Sequence, residues 1–157
     1  MALGTVSSAQ YASGKPVPSH GFAGTVKCAW GTYNMASAPA QNDVIQMCRT
    51  PAGATILDVV VYGQDIDTGT ETLDFDAGYF ANGTDSADPD AWGNFGVVTG
   101  DAFGSSEAGV RCFAGGVLAS GGPKSFTAET GHGITFNAAA NAGGTGRLTM
   151  LVYYVVP

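Results

Sequence analysis

Between Thr72 and Phe80 the side chains alternate without a break. Leu73, Phe75, Ala77 and Tyr79 share one face, and Thr72, Asp74, Asp76 and Gly78 share the other. Period-two alternation with one apolar and one polar face is the pattern of a half-buried antiparallel strand, and no helical repeat produces it. The stretch leading into it is written the same way. Thr50-Pro51-Ala52-Gly53 reads as a turn, with proline fixing one backbone angle and glycine relaxing the next. A β-branched run from Thr55 to Tyr62 follows as a strand, then Gly63 to Glu71 as a polar loop. The acidic face of the second strand is expected to meet solvent, where Asp74 and Asp76 would keep the sheet soluble and its edge unsticky. Arg49 to Phe80 is therefore scaffold.

The rest of the chain punctuates short apolar runs with turns. Strands are expected at Thr25–Tyr33, Val44–Arg49, Val110–Phe113, Lys124–Ala128 and Ile134–Asn137. Val44 and Cys48 are apolar as well as Ile45 and Met47, so the second of these should be covered on both sides. Asp85 to Phe95 reads as a single helical turn, with Asp88 as cap, Pro89 at the first position, and Trp92 and Phe95 packing at three-residue spacing. The last run, Gly146 to Pro157, is apolar on both faces, which suits a strand central in a sheet or buried against another subunit. The 24 glycines, roughly twice the ordinary frequency, fit short strands joined by tight turns. A length of 157 residues suits one domain. The chain reads as an all-β, single-domain antiparallel β-sandwich of jelly-roll type over residues 25–157, preceded by an extended N-terminal arm, residues 1–24.

Charge excludes whole classes of partner. The net charge is −7, and the six basic residues are scattered singly, so there is no footprint for nucleic acid and no polybasic patch for a membrane surface. No apolar run approaches the ~18 residues of a membrane-spanning helix. Met1-Ala-Leu-Gly-Thr has neither a basic n-region nor an apolar h-region and reads as no secretory signal. Asn82-Gly83-Thr84, a glycosylation pattern and a tight-turn dipeptide at once, is read as the turn. Cys28, Cys48 and Cys112 form an odd set without Cys-x-x-Cys spacing, read as free buried thiols, with one disulfide and a spare thiol as the alternative.

Catalytic patterns are missing. His20 and His132 are the two histidines, and both lie among glycine, proline or serine and read as loop residues. No Gly-x-Ser-x-Gly elbow, zinc spacing or phosphate loop occurs, and no cofactor is expected. Asp65, Asp67 and Glu71 place carboxylates at spaced positions around Gly69, the oxygen-rich chemistry that calcium takes. The plainer reading is a solvated acidic loop, because the calcium-loop pattern fails at its third position. Asp85, Asp88 and Asp90 form a second acidic set. Trp92 and Tyr79 beside such loops would suit a lectin-like carbohydrate module. In the arm, Tyr11, Val17 and Phe22 are candidate anchors on a partner or a neighbouring subunit, and in the last strand Tyr153 and Val155 are candidate contacts.

Pro51-Ala-Gly-Ala-Thr-Ile-Leu-Asp-Val, followed by Leu73-Asp-Phe-Asp-Ala-Gly-Tyr-Phe-Ala-Asn-Gly-Thr-Asp, resembles a pattern in small virion proteins of tailed bacteriophages, most like head decoration (cement) proteins. The resemblance covers Arg49 to Ala91. It implies a non-enzymatic virion structural protein, made in the host cytoplasm, that binds the outer surface of the capsid and stabilises it. Its partners would be the major capsid protein and its own copies, read here as a homotrimer. A tail, baseplate or head-fibre component of similar fold is the alternative within the same class.

Overall fold

Glycine and proline punctuation resolves into strands along the described chain. The computed structural model describes residues 25–64, 66, 67, 72–97, 108–111, 123–139 and 145–156, so the arm lies outside them. Nine strands are present among the described residues: β1 (Lys27–Met35), β2 (Val44–Thr50), β3 (Thr55–Gly63), β4 (Asp74–Tyr79), β5 (Asp88–Val97), β6 (Ala108–Arg111), β7 (Lys124–Ser125), β8 (Thr130–Ala138) and β9 (Gly146–Val155). One sheet runs β1-β9-β3-β6, with the short β7 also on β3, and the other runs β2-β8-β4-β5. Every pairing is antiparallel, and the partners nest: β1 with β9, β2 with β8, β3 with β6, β4 with β5. Nested pairs wound into two facing sheets are the jelly roll that the sequence leads one to expect.

The core lies between the sheets. Ile56, Val59, Val61, Leu148, Met150 and Val152 come from the β1-β9-β3-β6 sheet, and Phe75, Ala77, Ile134 and Phe136 come from the other. Each large aliphatic or aromatic side chain so buried is worth about 1.5–3 kcal/mol against exposure. Trp92, Tyr79, Phe126 and His132 close one region of the core, with Tyr79 and Phe126 edge-to-face at 4.8 Å between ring centres.

β1 and β2 are the outer strands of their sheets and pack on each other. Gly31 makes this contact, since a Cβ there would collide with the Met47 backbone carbonyl. Being at an edge, β2 is not covered on both sides as its composition suggests: Val44 is 50% exposed. The turn into β3 is displaced by one residue from the expected one. It spans Pro51–Ala54, with the Ala54 N–H donating to the Pro51 carbonyl at 3.2 Å and Gly53 at φ 81°, the positive angle required at a third turn position.

The expected helical turn at Asp88 is a strand. Pro89 sits in β5, the last strand of its sheet, where a missing backbone N–H is tolerated. β5 does not follow β4 residue for residue: Ala77 faces Gly93, yet Tyr79 faces Asp88. The extra residues bulge, carrying Trp92 fully into the core and laying the Asp88–Pro89 backbone on Gly78, where a Cβ would collide with it. This detour overturns the expected solvent-facing strand, because Gly78 is buried and Asp76 only 6% exposed. Gly31→Ala is expected to lower stability by about 1–3 kcal/mol, because backbone on both sides must shift. Urea midpoints of the two proteins at equal denaturant slope would measure it.

Candidate interaction surface

The outward face of the β1-β9-β3-β6 sheet follows from register, since directly paired residues share a face. Trp30 pairs with Leu151, which pairs with Val60, giving an apolar row across three strands. Trp30 is 67% exposed, Leu151 half-buried and Val60 buried. The next row is Thr32, Thr149 and Tyr62, with the two threonine hydroxyls 2.9 Å apart and Tyr62 exposed. Beyond it, Arg147 and Gln64 tie β9 to the end of β3: the Gln64 N–H donates to the Arg147 carbonyl at 3.0 Å, and the Arg147 N–H to Gln64 Oε1 at 2.9 Å. Thr32, Tyr62, Gly63, Arg147 and Thr149 line a shallow hollow of about 340 Å³. The rows led by Trp30 and Tyr62 are apolar or hydroxyl-bearing, while Asp58 and Arg147 stand on the same face, so it suits a contact with an apolar centre and charged groups around it.

Two further hollows lie along β2. One, of about 540 Å³, runs from Gln46–Arg49 to Phe80–Asn82 and Glu129, with Arg49 paired to Glu129 at 2.9 Å on its rim. The other, of about 390 Å³, lies between the ends of β1 and β2, with Tyr33, Pro39 and Val44 on its walls. Tyr33 and Val44 are both about half exposed.

The residues singled out in the sequence fall in different places. Tyr11, Val17, Phe22, Asp65, Glu71, His20 and Cys112 lie outside the described residues. Tyr153 stands half-buried on the apolar outward face, beside Cys28 and Asp58 in register. Val155 is 9% exposed, its side chain occupied within the chain, and it offers little to a partner. Asp67 is buried, and its Oδ2 accepts the backbone N–H groups of Thr72 at 2.7 Å and Leu73 at 2.8 Å. That oxygen fastens the loop where it re-enters the sheet. Among the described residues no three His, Cys, Asp or Glu side chains converge to hold a metal ion. Asp67→Ala is expected to cost about 1–3 kcal/mol, by leaving buried amides unbonded. Thermal melts should show the same loss with and without calcium.

The lectin reading does not survive. Trp92 is wholly buried and Tyr79 is 6% exposed, so neither ring can stack on a sugar from solvent. The acidic loop beside them is structural as well. Asn82 Oδ1 accepts the N–H groups of Thr84 and Asp85, its amide donates to Thr130 Oγ1 at 2.8 Å, and Lys124 reaches Asp85 at 3.4 Å. Among the thiols, Cys28 is exposed rather than buried and Cys48 half-buried; neither is bonded to another cysteine. Burial, with Cys28 nearby, pushes the Cys48 thiol up to about 12, so it is inert at neutral pH.

His132 is a core residue of β8, not a loop residue. Its ring is wholly buried between Trp92 and Phe126, and its Nε2 lies 2.8 Å from Thr50 Oγ1. An alcohol beside an imidazole has the look of half a catalytic triad, but both groups are closed off from solvent and Nδ1 meets no hydrogen-bond partner. Burial lowers the imidazole from the usual 6.5 to about 4. The unfolded chain therefore takes up this proton first, so the contribution of neutral His132 is complete above pH 6.5 and is lost as the pH falls towards 4. One pH unit in that window is a tenfold change in the folded-to-unfolded ratio, on the order of 3 kcal/mol across it. In urea unfolding between pH 7 and 4, His132→Gln is expected to lack this component of the slope.

No protein-family model and no curated protein matches the chain. Solved structures do. A chain in the capsid of Ralstonia phage GP4 superposes with a TM-score of 0.67 at 20% identity, over 90% of this chain and 90% of that one. A chain in the capsid asymmetric unit of cyanophage Pam1 gives 0.65 at 23% identity, over 99% and 100%. A third, in the acid-stable capsid of Helicobacter pylori bacteriophage KHP30, gives 0.56 at 13% identity, over 85% and 89%. These chains share the fold.

Proposed function

We propose that this chain is a structural component of a bacteriophage particle, a decoration protein that binds the outer surface of the capsid and stabilises it. The observation that carries the reading is the end-to-end agreement of its fold with chains found in phage capsids, over 99% of this chain and 100% of the cyanophage one. The jelly roll alone hosts many functions. What favours a binding role for this one is the apolar outward face led by Trp30, on a chain of net charge −7.

The physical logic is avidity. A capsid repeats the same junction many times, and a symmetric oligomer touching several major capsid protein subunits at once makes its later contacts at high effective concentration. In this reading the working form is a homotrimer, the role is non-catalytic, and the place is the head rather than the tail. Light scattering on the purified protein and co-sedimentation with undecorated capsids test it. A trimer that pellets with capsids is expected; a monomer that stays in the supernatant would sink the proposal.

The outward face makes the test specific. Trp30→Ser should change stability by less than about 0.5 kcal/mol, since the side chain is exposed. It should weaken capsid or subunit binding by roughly tenfold or more, as losing an aromatic anchor does. Binding equal to the parent would remove this face from the contact.

A further inference from the structure

We infer that the outward face of the β2-β8-β4-β5 sheet holds a proton-binding site at Asp76, where a buried carboxylate oxygen without a donor, beside a second on Asp74, is relieved by a proton in the folded state. Asp76 stands on β4, an inner strand, and is only 6% exposed. Its Oδ1 and the Oδ1 of Asp74, two residues along the same face, are both buried without a hydrogen-bond donor. A buried carboxylate oxygen without a donor is costly, and either a proton or a cation can relieve it. No cluster of metal-ligating side chains is found among the described residues, which leaves the proton.

The groups packed around Asp76 point the same way. From β8, Thr135 is its paired residue and Asn137 gives it a side-chain hydrogen bond, and neither carries charge. On its own strand stands Asp74, and from β5 comes Asp90, both negative. Burial first, then these two charges, push the Asp76 carboxyl up, against the Asn137 bond, which lowers it. Next to them Asp88 is also pushed up, by burial and by its bond to Asp90, while Lys124 opposes the shift. No cation among the described residues bears on Asp76 itself. The covering strand is what makes the site: the β5 detour over Gly78 lays backbone on a face that a regular strand would leave open to water.

The direction of the response follows. A carboxyl whose native value is raised favours the folded state once protonated. Its contribution is full below the unfolded value of 3.8 and is lost as the pH rises through the raised native value. Asp76→Asn, which copies the neutral form in shape, tests this in buffer containing a chelator. The variant should be more stable than the parent at pH 8. The advantage should close as the pH falls, with the parent gaining up to tenfold in its folded-to-unfolded ratio per pH unit within the window. His132 is common to both proteins and cancels in the comparison. Carbon-13 titration of aspartate carboxyls in the parent provides a second measurement that needs no variant: the signal missing from Asp76→Asn should titrate above the exposed aspartates. A variant no more stable than the parent at pH 8, or an Asp76 signal titrating with the others, would overturn the proposal. So would a rise in melting temperature on adding calcium or magnesium to the parent alone, which would assign the site to a metal.

Discussion

The register of β9 between β1 and β3 decides which side of this molecule meets the world. Leu148, Met150 and Val152 point into the sandwich, and Thr149, Leu151 and Tyr153 point out. Both sets are largely apolar, so hydrophobic pattern alone does not choose between them. A slip of one residue would exchange the faces. What forbids it is the neighbour. β1 carries Trp30 and Gly31 side by side, and only the glycine fits where Met47 comes against the strand. With Gly31 held inward, Trp30 must face out, and the Thr32–Thr149 hydroxyl bond fixes the same alignment from the other side. The exposed tryptophan is thus a consequence of a close backbone contact between the two sheets.

The two outward faces then differ in kind. One is an aromatic and aliphatic surface with hydroxyl groups and Arg147. The other carries Asp74, Asp76, Asp88 and Asp90, with Asp76 only 6% exposed. An acidic outer surface repels other acidic copies, while the face led by Trp30, with Asp58 and Arg147 as opposite charges on it, has less to lose on desolvation. The fold therefore distinguishes a side suited to contact from a side suited to solvent.

Much of this architecture was legible in the sequence, and three of the failures share one cause. The alternation of β4 and the two-faced apolar run of β9 are local signals, and each became a strand where expected; the turn before β3 forms one residue later than its composition suggests. Three readings failed because a distant segment reinterpreted the local one. Asp88-Pro89 has the composition of a helix start, but an edge position with a bulge accommodates it as strand. Gly131 and Gly133 made His132 look like a loop residue, yet the Phe80 ring lies against the positions where their side chains would be. Asp76 read as solvent-facing because nothing in its own strand reports that the β5 bulge packs against β4 at Gly78, two residues away on the same face. Trp30 was missed as a surface residue because aromatic residues in strands usually point inward. The available clue was the inverted size pattern, with small Ala29 and Gly31 on the side opposite Trp30.

The same covering explains why one sheet answers acid in two opposite ways. His132 on its inner face has no partner for a second ring proton and loses stability as the pH falls below 6.5. Asp76 on its outer face gains when a proton arrives, and continues to do so until the pH reaches the unfolded carboxyl value of 3.8. Tyr79 belongs to the same strand as Asp76 and pairs with His132, so the two sites are joined through β4 and β8. Removing either one alone leaves the other uncompensated. Without the histidine, the loss below pH 6.5 disappears and the gain from Asp76 remains; without the aspartate, that loss remains, set against the smaller group of raised carboxyls that includes Asp88. With both present, each offsets the other wherever their titration windows overlap, so the pH dependence of the parent is flatter there than that of either variant.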